Sequence, residues 1–472
     1  MKRWLIVAPV FLLAACAHYA PEPLSPDRTA FQLAARRLDD PGLKDFLQKN
    51  LGREVAQWPL AQWNLDELTL AAFYFHPALE VARVQWLAAR AGETTAAARL
   101  NPSVTVNPSY DSGIPGNYSP WIVPVTFDVP IETAGKRGKR IAEAIQVSES
   151  ARWSFVSAAW QIRSGVRTAL ESLKMAERRH AVLKEQVAVQ EKIVTLLKQR
   201  FAVGEISQPE LTLAEIALNK SQLELAATEA ARADARSRFA ESLGVPQGAV
   251  AGLHTEFDFS PVLQTKTEVA AARDLALRGR ADVLAALADY AAAEADLSLQ
   301  VARQYPDLHL GPGYAWNNGN AGDNQWSLGL TLELPILDQN QGPIAEAKAR
   351  RQLQAAKFLA LQAQIIAQTD RAVAGLEAAR AQQRLNRVQR DEARHQLNSV
   401  KDQVKAGAGE PLDLLSAQLE FYTTELAGLD GENLLATAVG ELEDALQQPE
   451  PAVAKAVENM SSMTSQEGKA HP

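Results

Sequence analysis

The sequence contains one cysteine, Cys16, among 472 residues. A disulfide framework and a cysteine-ligated metal site are therefore impossible within one subunit. The seven histidines are scattered along the chain, and none has the spacing of zinc ligands. The sequence also lacks a glycine-rich phosphate loop, a nucleophile elbow and a clustered acid pair. These absences argue against an enzyme and predict no metal site and no bound cofactor.

Charge and hydropathy exclude two further classes. The formal net charge is −8, so a nucleic-acid-binding role has no electrostatic support. No stretch has the roughly 20 consecutive apolar residues of a transmembrane helix. Aromatic residues make up only 6% of the chain, whereas alanine is abundant, and this composition favours long, closely packed helices.

Residues 1–15 have the pattern of a targeting segment, in which two basic residues precede a short apolar run. The run is too short for a permanent membrane helix and predicts a signal peptide. The four residues that end at Cys16, Leu-Ala-Ala-Cys, are similar to the bacterial lipobox, in which the cysteine receives a lipid. The alternative is an ordinary signal peptide with an incidental cysteine. We expect residues 16–63 to form a lipid-tethered extension that lies on the main body.

Two regions, 103–130 and 307–335, change from helical periodicity to alternating apolar and polar residues. Each predicts a hairpin of two strands with Trp or Tyr near the connecting loop. One apolar face and aromatic ends are typical of transmembrane β-barrel strands, whereas soluble hairpins packed on helices are the alternative. Four strands cannot close a barrel, and an open sheet edge in lipid leaves backbone groups unpaired. Several chains must therefore combine their strands.

A long helical hairpin follows each strand hairpin, over residues 141–243 and 344–446. The first helix of each is about 60 residues and roughly 90 Å long. Because such alanine-rich helices are not stable alone, they must pack against each other and against neighbours. The pattern predicts two repeats, 64–250 and 251–448, and a disordered tail over 449–472.

A glycine and a proline interrupt the first helical hairpin in the stretch Arg-Phe-Ala-Val-Gly-Glu-Ile-Ser-Gln-Pro-Glu-Leu, residues 200–211. A weaker copy follows with an offset of 203 residues, because Gly204 aligns with Gly407 and Glu210 aligns with Asp413. Each copy predicts the tight turn of a helical hairpin.

The lipobox, the duplicated order of strand and helical hairpins, and the Arg-Phe-x-x-Gly-x-x-Ser turn together resemble the TolC family of outer-membrane efflux proteins. The resemblance covers residues 64–447. It implies a mainly α fold with membrane β, in which three chains, with four strands each, form a 12-stranded transmembrane β-barrel. The barrel would continue into a trimeric α-barrel of long helical hairpins. The implied protein is a lipid-anchored outer-membrane channel with a long periplasmic part, which gives small toxic solutes (metal cations or drugs) a passive exit from a tripartite pump.

The implied partners of the chain are two further copies of itself, a periplasmic adaptor, an inner-membrane efflux transporter of the RND type and outer-membrane lipid, with no nucleic acid. The family places turns of this kind at the periplasmic tip, where the adaptor docks. Arg200, Gly204, Ser207 and Gly407 match these turns and are therefore implied for docking.

The resemblance also implies a gate at Asp413, which matches a family position in a constricting acidic ring, with Glu210 as its first-repeat counterpart. The alternative for both acids is a residue in the first turn of a helix, stabilised by the helix dipole. Val404 and Gly409 depart from the residues that lock a well-known drug-efflux member. The segment Glu132 to Arg137 is more similar to heavy-metal-efflux relatives than to multidrug ones.

Two other classes stay open. A periplasmic adaptor normally has one helical hairpin inserted into a small β-domain, whereas this chain has two hairpins and membrane-like strands. A structural coiled-coil lipoprotein is the other alternative. The basic cluster at residues 136–140 is interpreted as a solvated connection near lipid headgroups rather than a nucleic-acid site.

Overall fold

The structure is a computed structural model that describes residues 19–114, 119–256, 268–317, 324–448 and 451–467. The predicted signal peptide and Cys16 lie outside these residues. The described chain is mainly helical, and its helices are α1 Pro26–Ala34, α2 Pro41–Leu51, α3 Leu65–Phe75, α4 Pro77–Ala97, α5 Lys136–Ala202, α6 Gln208–Leu243, α7 Val269–Gly279, α8 Ala281–Ala302, α9 Gln341–Lys405, α10 Pro411–Leu446 and α11 Pro451–Glu467. Its strands are β1 Ser103–Val106, β2 Ser109–Tyr110, β3 Trp121–Ile131, β4 Leu308–Asn317 and β5 Gln325–Leu332.

Two long helical hairpins, α5–α6 and α9–α10, form the body of the molecule. Helix α5 contains 67 residues, a length of about 100 Å. Helix α10 packs on both α9 and α5, and α8 packs on both α5 and α9, so the two repeats share one packed body. Among the described helices, none combines the length and the apolar character needed to cross a membrane.

The strands of the two repeats form one antiparallel sheet. Strand β3 of the first repeat pairs with β4 of the second, β1 and β2 pair with β3, and β5 pairs with β4. Since side chains alternate along a strand, this register collects the apolar residues on one face. That apolar face consists of Val104, Val106, Tyr110, Trp121, Val123, Val125, Phe127, Val129, Ile131, Leu308, Leu310, Tyr314, Trp316, Trp326, Leu328, Leu330 and Leu332.

The two edges of the sheet differ. Pro108 lies between β1 and β2, which contain only four and two residues, and both pair with β3 alone among the described strands. Strand β5 has eight residues and is exposed along its whole length. In a single chain, both edges are therefore open.

The largest hydrophobic cluster of the described residues lies where the N-terminal and C-terminal segments meet the first repeat, and two smaller clusters lie in the second repeat. Leu43 and Leu47 of α2 are fully buried in it, next to residues of α3, α5 and α6. The tail predicted to be disordered forms α11 over residues 451–467 instead, and its Val453 and Ala456 are buried in the same core. The prediction is wrong because a few apolar residues of α11, at helical spacing, pack on a surface that α2, α3 and α5 form, although α11 is mostly polar.

The basic cluster at the start of α5 is also placed differently from its interpretation as a solvated connection. Lys136 is buried and pairs with Asp307 at 2.8 Å. Arg137 and Arg140 donate to the backbone oxygens of residues 96–98, at the C-terminal end of α4. These guanidinium groups satisfy carbonyls that have no partner within their helix. The cluster fixes the strand-to-helix junction and does not face solvent as a unit.

Arg36 joins the C-terminal ends of two other helices. Its Nη1 donates to the carbonyl oxygens of Phe75, at 2.5 Å, and of Gly244, at 2.8 Å. Burial lowers the pKa of Arg36. Gly244 has φ +71°, and a Cβ at this position would lie 2.8 Å from the Cα of His76, so only glycine fits this junction.

Replacing Arg36 by alanine should lower the free energy of unfolding by about 2 kcal/mol, because two partly buried carbonyls lose a charge-assisted donor. Denaturant unfolding followed by circular dichroism measures the loss. The neighbouring Arg37 is the matched control, since its side chain is 73% exposed and pairs with Asp39 at the surface. An equal loss in Arg37→Ala would contradict the role assigned to Arg36.

Candidate functional site

The two hairpin turns, predicted from their glycines, have the same geometry. Gly204 and Gly407 have φ values of +81° and +75°, which favour glycine. In the first turn, the N–H of Glu205 donates to the carbonyl of Arg200 at 2.9 Å. In the second, the N–H of Ala408 donates to the carbonyl of Gln403, also at 2.9 Å. The turns are therefore equivalent positions of the two repeats.

An ion pair connects the two turns. Arg200 Nη2 lies 2.6 Å from Glu410 Oε2, and this hydrogen bond raises the pKa of Arg200. The four residues implied for docking, Arg200, Gly204, Ser207 and Gly407, lie in or next to the two turns that this pair connects. The sequence did not predict this ion pair. Glu410 aligns with Ser207 of the first repeat, which carries no charge, so comparing the repeats does not mark Glu410.

The two acids implied for a gate lie in the first turns of the returning helices. Asp413 Oδ2 accepts a hydrogen bond from the N–H of Glu410 at 3.0 Å, in a capping box at the start of α10. Glu210 occupies the corresponding turn of α6 and is exposed. These are positions where the helix dipole favours a carboxylate. Within the single chain, Asp413 therefore acts as a helix cap.

All charged residues of helix α10 are acidic. The helix packs on α5 and α9, in which basic residues outnumber acidic ones. It contains eight carboxylates and no lysine or arginine. Arginines of α5 pair with it at Arg163–Glu443, 3.1 Å, and at Arg179–Asp430, 2.6 Å. This charge segregation joins the repeats along their length. Among the described residues, no group of three or more His, Cys, Asp or Glu could hold a metal ion.

A family model described as outer membrane efflux protein matches residues 74–245 and 272–447. The chain belongs to the outer membrane efflux protein family. The resemblance to the TolC family is thereby confirmed. This efflux protein is an outer-membrane channel component of a tripartite pump, in a family of channels rather than enzymes.

Known proteins similar to this efflux protein include one curated relative and several solved channels. The cobalt-zinc-cadmium resistance protein CzcC of Cupriavidus metallidurans is 25% identical over 307 residues, 64% of this chain and 71% of CzcC. The outer-membrane channel CmeC of Campylobacter jejuni has a TM-score of 0.67 at 13% identity, over 94% of this chain and 98% of CmeC. The outer membrane protein VceC of Vibrio cholerae has a TM-score of 0.65 at 19% identity, over 81% of this chain and 95% of VceC. The two structural likenesses show a shared fold.

Proposed function

We propose that this efflux protein works as a homotrimer, in which three sheets close into a 12-stranded β-barrel in the outer membrane. In this count, β1 and β2 form one interrupted strand, because both pair with β3 along the same edge. The long helical hairpins of the three chains form an α-barrel through the periplasm. The observation that carries this proposal is the two-faced sheet with both edges open. Trp326, Leu328 and Leu330 are 84%, 76% and 65% exposed in the single chain.

A lipid environment explains the exposed apolar face of the sheet better than an aqueous environment does. Exposed apolar surface costs about 25 cal/mol per Å² in water, and lipid removes that cost. Backbone groups at a sheet edge must be paired in lipid, and closure of the sheet pairs them all. One chain has two unlike edges, so copies joined head to tail close into a ring. A lipid on Cys16 would add a second attachment to the membrane.

Membrane extraction tests this assembly. The Cys16→Ala variant, secreted through a cleavable signal peptide, should stay in the outer membrane after carbonate treatment, and should run as a trimer in detergent by light scattering. Release of this variant by carbonate would favour a lipid-tethered adaptor or a coiled-coil lipoprotein, because neither has membrane strands.

The transported class is proposed to be divalent metal cations. The support is the sequence similarity to CzcC, whose name describes cobalt, zinc and cadmium resistance. The proposed partners are a periplasmic adaptor and an inner-membrane transporter of the RND type, which supplies the energy. Deleting the gene should sensitise cells to Co²⁺, Zn²⁺ and Cd²⁺, and a plasmid copy should restore resistance. Sensitivity confined to organic drugs would contradict the metal assignment and favour the drug alternative.

The hairpin turns are proposed to form the periplasmic mouth. The adaptor would dock on Arg200, Gly204, Ser207 and Gly407. Three copies of Asp413 and Glu210 would surround the pore axis, where their charges attract cations and repel each other. The Arg200–Glu410 pair, at 2.6 Å, would hold the turns of the two repeats together in the closed state.

The charge-reversed variant Arg200→Glu should increase the open time of single channels in planar bilayers severalfold, because it replaces attraction at the turn by repulsion. The double variant Arg200→Glu/Glu410→Arg should return to the wild-type open time, because it restores the ion pair with the two charges exchanged. Lys198→Ala is the control, because Lys198 pairs with Glu215 inside one hairpin at 3.0 Å. If all these variants gate like the wild type, the pair does not hold the mouth closed.

A further inference from the structure

The polar face of the sheet carries one ionisable pair. Within the described strands, Asp128 of β3 and His309 of β4 are the only ionisable residues on this face. The other side chains there are mostly small or hydroxyl-bearing. Sequence reasoning counted His309 among scattered histidines, because its partner is 181 residues away and becomes a neighbour only when β3 pairs with β4.

The two side chains form a direct contact. His309 Nδ1 lies 3.0 Å from Asp128 Oδ1 and 3.1 Å from Oδ2. His309 is directly opposite Pro130, so the pair is diagonal across the ladder. A carboxylate only accepts hydrogen bonds when ionised, so Nδ1 of His309 carries the proton in this contact. Both side chains are more than 40% exposed, so they reach the solvent on that face.

Two ion pairs lie close to Asp128 and His309. At the junction below the strands, Lys136 pairs with Asp307 at 2.8 Å and Arg140 pairs with Glu132 at 2.6 Å. Across the ladder, Thr331 of β5 lies opposite His309, and Ser103 of β1 lies opposite Asp128. Other charges at this end include Arg137 and Lys139, which donate to the carbonyl oxygen of Ala97 and the hydroxyl of Ser298, and the exposed side chains of Arg99 and Glu333.

We propose that Asp128 and His309 set the ion selectivity of the channel according to pH. This rests on the proposed trimer, in which the polar face lines the pore. Histidine is the side chain whose charge changes between about pH 5 and pH 8. When His309 is protonated, each pair is neutral, and when it is deprotonated, each pair carries the single negative charge of Asp128. Three copies then form an anionic ring that favours cations over anions.

The size of the expected change in selectivity depends on the distance between the charges and the passing ion and on screening by salt. The three charges surround a water-filled pore, so each acts on a passing ion through solvent. At 10 mM salt, where the Debye length is about 30 Å, we expect the ratio of cation to anion permeability to rise about threefold between pH 5 and pH 8. At 1 M salt, where the Debye length is about 3 Å, the rise should disappear.

Reversal potentials of purified trimers in planar bilayers, under a KCl gradient at pH 5 and pH 8, test the proposal. Asp128→Asn should lose the rise in cation preference between pH 5 and pH 8. His309→Gln should keep the higher preference at both pH values, since its Asp128 charge is never neutralised. The swapped variant Asp128→His/His309→Asp should recover the wild-type pH dependence. Glu333→Gln is the control for charge near the ring, and should leave the pH dependence intact.

The outcomes separate this proposal from the proposed function. If wild-type protein forms no channels, the trimeric pore itself is wrong. If channels form but both single variants keep the wild-type change in selectivity, the pair does not set selectivity. A pH dependence that persists at 1 M KCl would also overturn the proposal, because it would report a conformational change instead of a surface charge.

Discussion

Replacing Gly440 by alanine should lower the free energy of unfolding by about 3 kcal/mol. This is the reverse of the usual effect, because alanine in a helix interior is more favourable than glycine by about 1 kcal/mol. Gly440 lies inside α10, and a Cβ at this position would overlap the guanidinium of Arg167 on α5.

Arg167 cannot move aside without cost. Its side chain is only 5% exposed and contacts three carboxylates, those of Glu171, Glu443 and Asp444, at 3.3, 3.7 and 3.8 Å. Displacing the guanidinium moves a buried cation away from Glu171, which is only 8% exposed, whereas Glu443 keeps its pair with Arg163. Removing one partner of a buried charge cluster typically costs 3–5 kcal/mol.

Gly428 provides the matched control, because it lies in the same helix and a Cβ there would meet nothing within 4 Å. Gly428→Ala should stabilise the protein by about 0.5–1 kcal/mol. Denaturant unfolding of both variants, under identical detergent conditions, should therefore give shifts of opposite sign. Shifts of the same sign would show that the guanidinium relocates freely and that the cluster contributes little.

Replacing Glu171 by glutamine should stabilise the protein by about 3 kcal/mol at pH 8.5 and have little effect at pH 5. The pKa of Glu171 is raised to about 7, mainly by burial, although Arg167 on the same helix lowers it. The carboxylates of Glu443 and Asp444 on α10 raise it further. The folded chain therefore holds this proton more tightly than the unfolded chain, in which glutamate has a pKa of about 4.5.

The sign of the pH dependence follows from this difference. The favourable contribution of the protonated carboxyl is complete below about pH 4.5 and is lost as the pH rises through about 7. Glutamine is neutral throughout, so the variant loses this part of the pH dependence. Glu177→Gln is the control, since that side chain is 37% exposed on the same helix. A wild-type and a Glu171→Gln chain with parallel pH profiles would show that Glu171 is ionised in the folded protein.

The helical hairpins and strand pairs could be predicted because their signals are local. Apolar periodicity marks α5 and α9, and Gly204 and Gly407 mark the turns, since few other residues adopt their φ values. The pairing of β3 with β4 could not be predicted, because alternation defines the faces of a strand but not its neighbour.

The side-chain contacts could not be predicted from the sequence either. Arg200–Glu410 and Asp128–His309 join residues 210 and 181 positions apart, and no local sequence pattern connects the members of either pair. Arg137 and Arg140 were interpreted as part of a solvated basic cluster. Their acceptors are backbone carbonyls, and because every residue has a carbonyl, the sequence does not mark which ones accept. Helix α11 was missed because its order depends on a surface built by α2, α3 and α5.

The interruption of the first-repeat edge at Pro108 protects the chain before it assembles. An open strand edge can recruit any passing strand, and fibrous aggregates grow when every molecule offers two such edges. Pro108 has no amide hydrogen and divides its edge into pieces of four and two residues, whereas β5 offers eight in a row. A solitary copy thus has two open edges of unequal length, and the interrupted edge offers a foreign strand fewer consecutive partners. This inequality should slow the growth of aggregates that need two long edges on every molecule.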